Sequence, residues 1–231
     1  MVILGVTTMI DWTFFINTIL PPILEGTGIT LKIITLSIPL GLIAGIFIAV
    51  GRVYGGIIMS PICRIVIIFF KGTPLLIILF ILYYGFPSIG IYLSPFVASV
   101  IGFVLCSSSY HAEYIRGAIQ SVKSGQLLAA QALGMSKLNA VLNIVLPQAL
   151  RRAIPGCSNE IIYLIKYSSL AFMVTCIELT GAGKIIASRY FNYTEVFLII
   201  GAIYLFIVSI ATKLLNILEE KVAFPGWEFK K

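Results

Sequence analysis

Five apolar runs, at 29–50, 65–84, 95–114, 154–175 and 196–212, are each long enough to cross a bilayer. A helix needs about 20 mostly apolar residues to span the hydrocarbon core. In lipid, every backbone N–H and C=O must find its partner within protein, which leaves helices as the spanning element for runs of this kind. The rest of the chain agrees. Of its 231 residues, 59% are hydrophobic and 11% are charged, against about a quarter charged in a soluble domain. The expected fold is an all-α integral membrane protein with about five transmembrane helices.

Residues 1–28 read differently. Asp11 and Glu25 flank this stretch and Pro21 and Pro22 interrupt it, so it is expected to lie at the interface as an amphipathic segment anchored by Trp12 and Phe14. No Lys or Arg precedes the first apolar run, which argues against a secretory signal peptide. Residues 29–218 form the transmembrane domain, and 219–231 a cytoplasmic tail in which Trp227, Lys230 and Lys231 suit the headgroup region. Orientation follows from basic residues near the span ends. Arg52 and Arg64 flank the first connection. The long connection 116–152 holds Arg116, Lys123, Lys137, Arg151 and Arg152 and no acidic residue, and the connection from Glu178 to Glu195 balances Lys184 and Arg189. The N-terminus is therefore expected outside, the C-terminus and the long connection in the cytosol. The net charge of +7 is read as this bias, with no nucleic-acid partner.

Cys63, Cys106, Cys157 and Cys176 lie in or beside the apolar runs without metal-ligand spacing, and are expected to be core residues. A single histidine, His111, rules out most catalytic constellations and is read as a packing residue. "GAGK" at 181–184 resembles a phosphate-binding loop, but Glu178 and Ile185 stand where that loop needs Gly and Ser or Thr. No enzymatic activity is expected.

The central stretch "SGQLLAAQALGMSKLNAVLNIVLPQALRR" is unlike its surroundings. Ser124 is expected to cap a helix over 126–133 that Gly134 ends in the left-handed conformation. Ser136 caps a second helix, which Pro147 disturbs. Ala129, Ala130 and Gly134 allow another surface to approach closely, while Leu127, Leu128, Leu133 and Met135 add apolar mass. Spacing alone leaves two readings open, a docking surface and a plain amphipathic helix on the inner leaflet.

The segment also resembles the cytoplasmic "EAA" loop of permease subunits of ATP-binding-cassette importers, in which A-A, a Gly four residues on and L-P recur. The match falls on Ala129, Ala130, Gly134, Leu146 and Pro147. Further segments resemble the polar amino-acid uptake branch of that family, in order: "GTGITLKIITLS", "KGTPLLIILFILYYG", "SSSYHAEYIRGAIQSV", "NEIIYLIKYSSLAF" and "SRYFNYTEVFLIIGAIY". The likeness runs from Gly28 to about Leu218. It implies a type I importer permease with a cytoplasmic coupling helix, in a prokaryotic cytoplasmic membrane. A second permease, identical or not, completes the pore. Cytosolic ATPase subunits, which hold the ATP and Mg, dock on the coupling residues Gln126, Leu127, Leu128, Ala129, Ala130, Gly134 and Pro147. An extracytoplasmic binding protein delivers an amino acid. Four positions depart from the branch: Leu128 replaces the acidic residue of the loop, Lys71 an Arg, Ile78 a Gln and Tyr167 an acidic residue.

Charges inside a span are expensive, and they normally face a cavity or a partner. Lys71, Glu113, Glu160 and Lys166 are such charges. Gly72 and Pro74 would interrupt the helix after Lys71, and broken helices expose backbone groups to substrate. An amino acid needs an acceptor for its ammonium, which Glu113 or Glu160 could supply. Thr73, Asn159, Ser168 and Ser169 could add hydrogen bonds. The structural alternative for each is snorkelling or an interhelical ion pair. Glu160 and Lys166, six residues apart, do not share a helix face. The competing function is an ion- or proton-coupled secondary transporter working without an ATPase, but five spans do not divide into equal repeats and no duplicated segment is visible.

Overall fold

The computed structural model describes residues 12–222, and nearly all of them are helical. Asp11, the Trp12 side chain and residues 223–231, with the roles expected of them, lie outside the described residues. A single turn, α1 (Trp12–Phe14), passes through a π-helical turn (Phe15–Ile19) into α2 (Leu20–Tyr54). From Phe15 to Tyr54 this is one rod of 40 residues, about 60 Å long and roughly twice the hydrocarbon thickness. One end must stand clear of lipid.

The expected break at Pro21 and Pro22 does not occur. The prolines follow directly on the π-helical turn, which Leu20 N closes onto Phe15 O, and that widened turn accommodates their missing N–H, so 12–28 is the overhanging end of the first span and continuous with it. Phe14 meets Tyr190 edge to face at 4.9 Å and packs within a core cluster, so it anchors the chain to itself.

The second apolar run is bent. α3 (Gly56–Gly72) gives way to α4 (Leu75–Phe80) and the turns Ile81–Gly85 and Phe86–Ile89, at 100° to α3. Thr73 is extended and Pro74 starts α4, the interruption expected after Lys71. α5 (Pro95–Ser121) is unbroken. The long connection carries α6 (Ser124–Ala132) and α7 (Lys137–Ala140). It re-enters through a π-helical turn (Val141–Val145) into α8 (Leu146–Tyr167), a 3-10 turn (Ser168–Val174), then α9 (Leu179–Tyr190) bent by 53°, and α10 (Tyr193–Val222). Among the described residues, three helices can cross a membrane by length and composition, or five if each bent pair counts as one span.

Small residues set the tightest contact. Ser37, Gly41, Gly45 and Ala49 recur every fourth position on α2 and are all buried. Gly41 lies against Ser107, and a Cβ on Gly45 would stand 2.6 Å from that of His111. Helices in lipid associate through such close packing, since lipid tails are as apolar as leucine. His111, 1% exposed, is thus a packing residue. The four cysteines are free and buried. The "GAGK" stretch lies within α9, where Gly181 backs onto Phe172 and Gly183 onto Ile200.

Glu178 fixes α9 in place. Its carboxylate accepts from Gly181 N at 2.9 Å, Thr180 N at 3.0 Å, Tyr204 Oη at 2.8 Å and Thr30 Oγ1 at 3.3 Å. Thr30 Oγ1 in turn accepts from Leu179 N at 3.1 Å. One fully buried side chain caps α9 and ties it to α2 and α10. Loop-charge counting treats Glu178 as one member of a neutral connection and gives no hint of this. Its sequence signal is the cap spacing, an acid three residues before the Gly181 amide.

Candidate functional site

Two regions hold the residues singled out in the sequence. The first is the connection through α6 and α7. Lys123 precedes α6, no side chain caps it, and Ser124 is already its first residue, so the expected serine cap is not formed. The other end is as expected. Gly134 has φ +87°, and closure comes from Gly134 N to Gln131 O at 2.9 Å and Met135 N to Ala130 O at 3.1 Å, a left-handed glycine stop. Ser136 caps α7 by accepting from Asn139 N at 3.3 Å. Pro147 sits in the first turn of α8 just after the π-helical turn. The helix changes register there and continues.

The faces of α6 divide cleanly. Ala130 is buried and Leu127 packs onto the main core, so those two serve the chain's own packing. Ala129, Gly134 and Gln126 are exposed. So are Leu128 at 64%, Leu133 at 86% and, from α7, Leu138 at 64%. Three leucines standing out from a polar connection form the kind of patch that a partner covers. The segment is braced below: Arg152 Nη1 donates to Ser121 O at 2.5 Å and to Ser121 Oγ at 3.0 Å, which joins the end of α5 to α8. Lys137 lies 6.0 Å from the Tyr54 ring centroid.

The second region lies midway along α5 and α8. Glu160 is 5% exposed, and no hydrogen-bond donor among the described residues reaches it. Cys106, Tyr110, Tyr114, Cys157 and Lys71 lie within electrostatic range of it. Its neighbour Asn159 is exposed and begins a stripe with Tyr163 and Tyr167, four residues apart on α8. The two tyrosine rings stack at 6.0 Å, and Tyr163, Tyr167 and Tyr114 are 36–49% exposed. Sequence reasoning missed this stripe, although the spacing 159, 163, 167 signals it.

Lys71 lies 5.7 Å from the Tyr110 centroid and Lys166 5.6 Å from the Tyr163 centroid, within cation–π range. Glu113 is held elsewhere. Arg116 grips both its oxygens, Nε to Oε1 at 3.0 Å and Nη2 to Oε2 at 2.9 Å. Ser168 and Ser169 donate back to Ile165 O and Lys166 O, leaving their hydroxyls only as acceptors. Thr73 and Pro74 form the bend. The structure thus brings Lys71, Glu160 and the tyrosines together and leaves Glu113 paired within its own helix. No cluster of three metal-ligating side chains occurs among the described residues.

Comparison with known proteins places this geometry. The family model for binding-protein-dependent transport system inner membrane components matches residues 37–224. The chain is 42% identical over 219 residues to a probable amino-acid ABC transporter permease protein, YckA, of Bacillus subtilis, covering 93% of this chain and 97% of that one. It is 34% identical to the nopaline transport system permease protein NocM of Agrobacterium fabrum, covering 86% and 87%. Among solved structures, one described as an amino acid ABC transporter with histidines superposes at a TM-score of 0.79 with 33% identity, over 87% of this chain and 94% of that one. A chain of the MetNI methionine transporter, 17% identical, shares the fold at a TM-score of 0.76 over 90% and 99%.

Proposed function

This chain belongs to the family of binding-protein-dependent transport system inner membrane components, multi-pass membrane proteins, and from that footing we propose how it works. It is the membrane-spanning subunit of an ATP-driven importer of polar amino acids. The exposed leucines 128, 133 and 138, on a connection that Gly134 breaks and Arg152 braces, carry the reading. They dock on cytosolic ATPase subunits, which hold ATP and Mg and do the hydrolysis. The α6 end of the bundle faces the cytosol of a prokaryotic cell, and the N-terminal end of the rod and α9 stand outside, where an extracytoplasmic binding protein delivers the cargo. With Leu128 in place of an acid, docking rests on apolar contact and shape. A second permease closes the pore.

The cargo passes along the stripe of Asn159, Tyr163 and Tyr167. A lipid-facing row of that polarity beside Lys166 would be costly, which supports an aqueous lining. Glu160, buried without a hydrogen-bond donor, receives the ammonium, and Lys71 the carboxylate, with Thr73 and Ser169 adding hydrogen bonds, whereas Ser168 is fully buried and takes no part. A secondary transporter acting alone is disfavoured, because it leaves the leucine patch without a partner.

The test is a detergent pull-down of the tagged chain from its host beside a Gly134→Asp variant, with co-purifying proteins identified by mass. An ATPase subunit retained by the wild type and lost by the variant is the expected result. Purification of both without any ATPase would sink the coupling reading.

A further inference from the structure

A cavity of about 650 Å³ opens beside the end of α2, between α3 and α5. Its charges are Arg52, Arg64, Lys71, Arg116 and a single carboxylate, Glu113. The bidentate grip of Arg116 consumes that carboxylate. Arg52 is steadied by Ser60 Oγ at 2.7 Å, a neutral partner that leaves its charge uncancelled. Three cations therefore remain in excess.

Their placement is ordered. Arg64, Ile67, Ile68 and Lys71 follow the i, i+3, i+4, i+7 spacing of one face of α3, and Lys71 stands about 10.5 Å further along the helix than Arg64. Lys71 lies about 22 Å along α3 from its start, beside the 100° bend and 5.7 Å from the Tyr110 ring centroid. A column of uncancelled cations along one helix face of a membrane protein needs water or an anion against it.

We propose that this groove is a second station for the cargo, a site at the cytosolic exit that binds the carboxylate of an amino acid. It deepens the importer reading and rests on it for sidedness. Arg64 and Lys71 hold the carboxylate, with Arg52 at the mouth. Lys71 faces both stations, so it hands the carboxylate from the Glu160 level down to Arg64. Binding is reversible, and cytosolic amino acid occupies the same groove from below. Phosphate and anionic lipid headgroups share the oxyanion chemistry, and the test separates them.

The importer would be purified with its ATPase subunits in nanodiscs of phosphatidylcholine, carrying Ile68→Cys on the groove wall. Wild type is the blank, since its four thiols are buried. Modification rates by an anionic and a cationic methanethiosulfonate are compared with those of free cysteine. Charged clefts raise local counter-ion concentration by about 10–1,000-fold, so we expect at least about a tenfold preference for the anionic reagent. Arg64→Gln or Lys71→Gln should cut the preference several-fold, and sodium glutamate should slow the reaction at constant ionic strength.

A preference near unity, or no slowing by glutamate, overturns the proposal. Slowing by phosphate alone, or only when phosphatidylglycerol is added to the nanodisc, assigns the groove to those anions and overturns it equally. An Asn159→Cys variant reports on the pathway separately. If Asn159→Cys reacts while Ile68→Cys is inert or unselective, only the groove assignment falls. If Asn159→Cys is itself inert, the pathway reading fails.

Discussion

Replacing Glu178 should loosen the whole end of the bundle that carries α9. In Glu178→Ala the amides of Thr180 and Gly181 lose their cap, at a cost of about 1 kcal/mol. The bonds from Tyr204 and Thr30 to a charged acceptor are worth about 1.5–3 kcal/mol each. Relief of the carboxylate's desolvation returns several kcal/mol. Both hydroxyls also keep a second partner, Thr180 Oγ1 at 3.0 Å for Tyr204 and Leu179 N at 3.1 Å for Thr30. The net loss is about 2–3 kcal/mol. At about 2–4 °C per kcal/mol for a chain of this size, the midpoint of thermal unfolding in detergent should fall by roughly 5–10 °C. Glu178→Gln keeps one acceptor oxygen and turns an NH2 toward a backbone donor, so it should cost about half as much. Tyr204→Phe alone should cost about 1.5 kcal/mol, and much less in the Glu178→Ala background, because the two share one bond. A Glu178→Ala protein that melts within a degree of wild type, or fully additive losses in the double variant, would refute the reasoning.

Three further outcomes are expected. Gly45→Leu forces a side chain into His111 and should cost at least about 1–3 kcal/mol as overpacking, whereas Gly28→Ala, with open space around its Cβ, should be neutral or stabilising by the same thermal measurement. Ser136→Ala removes the α7 cap, worth about 1 kcal/mol, and should speed amide exchange over 137–140 while leaving α8 unchanged. Glu160→Gln should cut amino-acid uptake by the reconstituted importer about tenfold or more, the loss of a charge-assisted bond, with ATPase co-purification intact.

The apolar runs and the loop motif were legible because each is a local pattern. Run length alone marks a span, and Gly134, Ser136 and the Gly72–Pro74 break act through their own backbone. Pro21 and Pro22 misled because the π-helical turn at Phe15–Ile19 takes up the disruption that proline causes inside a helix, so the rod continues through them. Ser124 failed as a cap because Lys123, already extended, leaves the serine inside the first turn. What could not be read locally was which face each residue shows. Ala130 and Leu127 sit one turn or less from Ala129 and Leu128, yet they turn inward because Val141 and Val145 return beneath them. Glu178, Thr30 and Tyr204 lie up to 174 positions apart in the chain by number and meet only when three helices pack.

The two ends of the bundle are braced, and the compliance lies between them. At one end Glu178 joins α2, α9 and α10; at the other Arg152 joins α5 and α8, and Lys137 reaches Tyr54. Helical geometry lapses, among other places, at the extended Thr73 and at Thr175 with φ +62°. Thr175 and the turn before it are bonded to the segment after Thr73, Thr175 Oγ1 to Tyr83 Oη at 2.9 Å and Tyr84 Oη to Met173 O at 3.3 Å. A displacement at one bend therefore pulls on the other. That coupling suits a chain whose energy source sits on a different polypeptide.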